Sequence, residues 1–144
     1  MAFCERLSEQ LAIVATIDPI ALTGTVATSD VFSMALHRRA LFILQTEAVF
    51  GAATVLIQEG PVIGMTGSAA ILTGAVTAIT EAASQYLFEV SGEAMAAGNS
   101  FLRASLAGMT GGDIISMVVL ADVERYHPGS DHDLGTVVIA GVAN

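Results

Sequence analysis

The chain has 144 residues, 53% of them hydrophobic and only 13% charged, with a net charge of −9. That is one domain's worth of sequence and far too apolar for a disordered chain. The acidity disfavours nucleic-acid partners, and all five basic residues are arginines. Soluble monomers usually carry about 25% charged residues, so a surface this poor in charge predicts an oligomer or an assembly subunit.

Along the chain, short runs rich in Val, Ile, Leu, Thr and Phe alternate with Gly, Ser, Asp and Pro, and no amphipathic helical stripe develops. The start, MAFCERLSEQLAIVAT, has Glu5, Arg6 and Glu9 where a signal peptide would have its apolar region, so no signal is expected. Leu11–Ile17 is the first strand, ending at Asp18-Pro19, and Ile20–Ala27 is the second. Val31–Leu36 is a short third. Arg39–Thr46, RALFILQT, is a strong strand, apolar on both faces at its centre, and so is expected to be covered on both sides. Thr54–Gln58 follows the turn signal Phe50-Gly51.

Gly60–Thr80 has no charge and nearly the length of a membrane span. Its glycines, threonines and Pro61, bracketed by Glu59 and Glu81 instead of basic or aromatic anchors, favour two short strands (Ala69–Leu72 and Val76–Ile79) with a loop. In SQYLFEVSG, Tyr86, Phe88 and Val90 face one way and Gln85 and Glu89 the other. Gly92–Ser100 suits one short helical turn. SFLRASLAG places Leu102, Ala104 and Leu106 on one face, and Asp113–Asp122, DIISMVVLAD, is the last strong strand. Strands at spacings near ten residues predict an all-β chain. The expected fold is a single antiparallel β-sandwich, jelly-roll or immunoglobulin-like, with extended terminal arms, although the abundance of alanine leaves an α-rich alternative. Residues 1–10 are the N-terminal arm, 11–126 the sandwich and 127–144 the C-terminal arm. The expected core is Leu41, Ile43, Leu56, Phe88, Val90, Leu102, Leu106, Ile115, Val118 and Leu120.

Motifs for chemistry are weak. Cys4 is the only cysteine, which excludes an intramolecular disulfide and a cysteine-rich zinc site. In RYHPGSDHDLG, the residues His127, Asp131, His132 and Asp133 have the ligand types of a metal site. They sit on a turn-forming stretch after the last strong strand, however, where rigid presentation and second-shell orientation are lacking. They read as hydrogen-bonding loop residues, so neither a metal nor another cofactor is expected. There is no G-x-S-x-G, no G-x-G-x-x-G and no P-loop lysine. Beyond Pro128, the run Thr136–Ala140 suits an arm that adds a strand to a neighbouring subunit. The adjacent Arg38 and Arg39 open the strongest strand, where successive side chains point to opposite faces. One of them, together with Arg125, is expected to pair with Asp122 or Glu124; solvated surface charges are the alternative.

Two segments, DVFSMALHRRALFILQTEAVFGAATVLIQEG and YLFEVSGEAMAAGNSFLRASLAGMTGGDIISMVVLADVERYHP, resemble small structural proteins of tailed bacteriophages encoded beside the major capsid protein. The similarity spans roughly residues 9 to 135. Its most specific points are Arg38-Arg39, Gln58-Glu59, Arg103, and Asp122 with Arg125, Tyr126 and Pro128. The chain departs from that pattern at GPVIGMTGSAA, where the family often carries a longer hairpin. The resemblance implies a non-enzymatic virion component, made in the host cytoplasm. It would be a head decoration (cement) protein that binds the outer face of the major capsid protein as a homo-dimer or homo-trimer, with no membrane or nucleic-acid partner. Arg38, Arg39, Arg103, Asp122, Arg125 and Tyr126 are then its structural and interface candidates. A tail or baseplate adhesion module binding a host surface glycan is the alternative.

Overall fold

A computed structural model describes residues 11–21, 26–48, 53–71, 77–109 and 112–122. Both arms, with Cys4, Glu124, Arg125, Tyr126, the 127–133 segment and Thr136–Ala140, lie outside the described residues.

The fold is an antiparallel β-sandwich. One sheet contains β1 (Leu11–Ala21), β10 (Ile114–Asp122), β4 (Arg39–Ala48) and β8 (Ser84–Ser91), in the order β1-β10-β4-β8. The other runs β2-β9-β5-β6, formed by β2 (Val26–Thr28), β9 (Phe101–Ala107), β5 (Ala53–Gly60) and β6 (Ala69–Ala70). Two short strands complete it, β3 (Phe32–Ser33) pairing with β9 and β7 (Thr77–Ile79) pairing with β5. A 3-10 turn, Gly92–Ala94, follows β8 and is the single helical turn expected there.

The sheets meet face to face. Phe32 of one and Phe42 of the other pack with ring centroids 6.0 Å apart. Ala12, Ala15, Leu44, Met117 and Val119 fill the core from the four-stranded side, and Val55, Ile57, Leu102 and Leu106 from the other. The described residues of the uncharged 60–80 stretch form a loop and two short strands, β6 and β7, that both pair with β5. No helix among the described residues is long and apolar enough to cross a membrane.

Three expectations need correction. The first two runs are not separated at Asp18-Pro19, because β1 continues through them to Ala21. β1 is an edge strand whose register shifts between Ile17 and Ile20, and an edge or a bulge is where a strand tolerates a proline without losing a ladder bond. Among the described residues, the second run otherwise contributes Val26 and Ala27, which belong to β2. The third correction concerns the core. Phe88, Val90, Leu102, Leu106 and Ile115 are buried as expected. Leu41, Ile43, Leu56, Val118 and Leu120 are half-buried and point outward, while Ala40, Phe42, Leu44, Val55, Ile57, Met117, Val119 and Ala121 face inward. The reason is the pleat: β4 and β10 are apolar at both parities, so alternation could not say which face was inside.

Candidate interaction surface

The outward residues define a surface. The pairings of the four-stranded sheet align Ile13, Leu120, Leu41 and Glu89 in one row across β1, β10, β4 and β8. The next row is Thr16, Val118, Ile43 and Leu87. Six of these eight side chains are large and aliphatic, and Leu87 is 64% exposed. Beyond the second row, Ser116 donates its hydroxyl to Gln45 Oε1 at 3.2 Å, which makes a neutral polar border. Beyond the first row lies a charged border of Leu11, Asp122, Arg39 and Ser91. A shallow groove of about 280 Å³ there is lined by Leu11, Leu41, Leu120, Arg39, Glu89 and Asp122. An apolar centre within a polar rim is the anatomy of a protein interface.

The opposite outer face differs. On β9 and β5 it carries Arg103, Ser105, Thr54 and Gln58 around Leu56, and the Arg103 guanidinium donates from Nε to Gln58 Oε1 at 2.8 Å. That is the polar outer face a sandwich normally shows to water. Arg103, a candidate from sequence, therefore ties β9 to β5 on the polar side.

The charged border also shows where the other candidates fall. No guanidinium of the described residues pairs with Asp122. Its Oδ1 accepts the backbone N–H groups of Arg38 and Arg39, each at 2.8 Å, capping the end of β4 from the end of β10. The His37 ring, buried, lies with Nδ1 2.6 Å from the Asp122 carbonyl oxygen. Gly92 sits close by, donating its N–H to the Arg38 carbonyl at 2.8 Å; a Cβ at Gly92 would lie 3.5 Å from that oxygen. These groups border an open cleft of about 680 Å³.

The expected buried pairing of Arg38 or Arg39 with Asp122 is thus corrected, while its Arg125 and Glu124 parts lie outside the described residues. Both arginines are exposed, and the Arg39 guanidinium meets Glu89 at 3.1 Å with side chains 68% and 57% exposed. Arg38 precedes β4 instead of lying on it, so strand alternation does not force either arginine inward. Sequence reasoning brought Arg38, Arg39 and Asp122 to one edge but assigned the bond to side chains where the backbone makes it. Arg125 and Tyr126 lie outside the described residues.

Glu59 is a functional-looking acid with a structural task. It is buried, and its Oε2 accepts the Ala96 N–H at 2.9 Å, fastening the segment after the 3-10 turn to the end of β5. Glu59→Ala should cost about 1–3 kcal/mol by stranding that amide, and Glu59→Gln, which keeps an acceptor, clearly less. Urea denaturation of the two variants checks this ordering.

After Glu59 the chain turns sharply: Met65 donates to the Val62 carbonyl at 2.9 Å and Ser68 to the Met65 carbonyl at 3.1 Å. Buried Met65 packs back over Gly60, where a Cβ would come within 3.2 Å of its sulfur. The turn projects Val62 and Ile63, 46% and 68% exposed, from the tip. Among the described residues no group of three or more His, Cys, Asp or Glu could hold a metal ion.

Comparison of the chain with protein-family models, curated proteins and solved structures returned no match.

Proposed function

We propose that this chain is a structural assembly subunit of a bacteriophage virion, most simply a head decoration protein that binds the outer face of the major capsid protein and stabilises the shell. The observation that carries the assembly part is the apolar outer face of the four-stranded sheet: Ile13, Leu41, Ile43, Leu87, Val118 and Leu120 occupy positions that water would otherwise cover. The virion part rests on the resemblance of the two segments around Arg38-Arg39 and Asp122 to phage structural proteins. A cement protein works by binding only the assembled shell, so mass action stabilises that state in proportion to the affinity. The side chains such a role needs are apolar anchors on a rigid frame with few competing charges. Val62 and Ile63, held out by the Met65 turn, are a second set of anchors suited to a joint between capsid subunits.

No catalytic step enters this reading. The polar groups at the charged border hold β4 to β10, and Glu59 holds the chain after the 3-10 turn.

Quantitative mass spectrometry of purified particles of the phage that encodes the chain tests the proposal. Hundreds of copies per particle, lost from heads when Ile63→Glu is introduced, support the decoration role. A handful of copies with a glycan-array signal moves the protein to the tail or baseplate as an adhesion module. Absence from particles overturns the virion reading altogether.

A further inference from the structure

We infer that the outer face of the four-stranded sheet is the seat of a second copy of this chain, packed face to face about a two-fold axis that runs along the seam between β4 and β10. The inference rests on the reading of this face as an assembly surface and names its occupant.

The first argument is symmetry. An axis lying between the two sheets and parallel to the strands keeps each residue at its height along the strand and exchanges the two central strands. β4 then lies over the partner's β10, and β8 over the partner's β1. Leu41 and Leu120 are cross-strand neighbours, as are Ile43 and Val118. The rotation therefore places Leu41 over the partner's Leu120 and Ile43 over the partner's Val118. Arg39 and Asp122 are next in register after Ala40 and Ala121. The same rotation brings Arg39 over the partner's Asp122, and Asp122 over the partner's Arg39. Two opposite-charge pairs thus close one end of an apolar seam. This is the self-complementary arrangement an isologous dimer requires. The alternative in-plane axis, perpendicular to the strands, would set the charged border against the Gln45–Ser116 border and leave those charges without opposite numbers. Aligned sheet packing rotates the strands by about 30°, which the residues next to the axis tolerate best.

Charge is the second argument. Each copy carries a net −9, so two copies repel over most of their surface. On this face an arginine stands beside the acid at the seam, and the two rows behind it are aliphatic apart from Glu89 and Thr16 at their ends, so the approach of a like-charged twin meets little opposition here.

Size is the third. Four strands about 4.8 Å apart make a face about 19 Å wide, and the nine residues of β10 run about 30 Å. That is about 570 Å² on each copy and about 1,100 Å² for the pair, above the roughly 1,000 Å² a specific interface needs. The apolar rows also run to the edge strand, where Leu87 lies 64% exposed and would be covered against the partner's β1.

Sedimentation velocity on the full chain between about 1 and 100 μM tests the assignment. The wild type should sediment as a dimer. Leu41→Glu, which places two carboxylates in the seam, should raise the dissociation constant by about 100-fold, and Arg39→Glu by about tenfold with the salt dependence changed in sign. Leu87→Glu, at an exposed site that folding does not need, should raise it by about tenfold and carries the test if Leu41→Glu does not fold, as judged by its far-UV circular dichroism. Ile63→Glu, on the turn that follows β5 of the other sheet, should leave the dimer intact. A wild type that is monomeric at about 100 μM, a trimer, a folded Leu41→Glu that still dimerises, or an Ile63→Glu that dissociates while Leu87→Glu does not would each overturn the inference. These measurements use the isolated protein, so they separate from the particle count. A monomer abundant on heads removes the two-fold and leaves the decoration role, and a dimer absent from particles does the reverse.

Discussion

Phe42→Ala should destabilise the isolated domain by about 3–5 kcal/mol, whereas Leu41→Ser, one residue away and of comparable hydrophobicity, should cost under about 1 kcal/mol at concentrations where the chain is monomeric. Phe42 is fully buried and its ring meets Phe32 across the sandwich at 6.0 Å, so truncation removes a large apolar side chain and leaves a cavity that the two sheets cannot close. Leu41 points the other way, between Leu120 and Glu89, and water can fill the space it leaves. The contrast is a direct test of strand register, because a slip by one residue would exchange the two results. Urea denaturation at low protein concentration reads both. At high concentration, Leu41→Ser should additionally lose whatever stability association supplies, so its midpoint, unlike that of Phe42→Ala, should no longer rise with protein concentration.

The second large effect is expected at the charged border. Asp122→Ala removes the acceptor of two backbone N–H groups, those of Arg38 and Arg39, both at 2.8 Å. Hydrogen bonds to a charged acceptor contribute about 1.5–3 kcal/mol each when formed, less where water can replace the partner, so a loss of about 2–3 kcal/mol is expected in total. Asp122→Asn keeps an oxygen at the same place and should lose roughly half of that. Arg39→Ala should change stability by no more than about 0.5 kcal/mol, since its ion pair with Glu89 is solvated at both ends. If Arg39→Ala proved as costly as Asp122→Ala, the guanidinium and not the backbone amide would be what holds β4 to β10. The three variants separate these two accounts without reference to any partner.

The interaction surface follows from a conflict the sandwich has to resolve. Two layers bury two sheet faces and expose two, and the exposed pair should alternate to polar residues. β9 and β5 comply, with Arg103, Ser105 and Gln58 outward. β4 and β10 do not, and an exposed apolar sheet face of this size marks an interaction surface. The low overall charge of the chain thus has a location, and the candidate surface is that location.

Some of this was legible in the residues alone. The antiparallel sandwich was, because Gly, Ser, Asp and Pro punctuate apolar runs at short intervals. The inward faces of β8 and β9 were legible too, because Gln85, Glu89, Arg103 and Ser105 mark the outward parity unambiguously. So was the two-sided apolar character of RALFILQT, of which a single core can bury only one parity. What the sequence could not supply was the choice between the two parities of β4 and β10. Leu41 and Leu120 look more like core than Ala40 and Ala121, yet the small residues lie inside, where Phe42, Leu44, Met117 and Val119 already fill the space between the sheets. That choice depends on the volume left by the facing sheet, a property of packing across the core and not of either strand. The role of Asp122 was hidden for a related reason. An acid near two arginines reads as an ion pair, and only the meeting of the ends of β10 and β4 shows that the backbone amides reach it first.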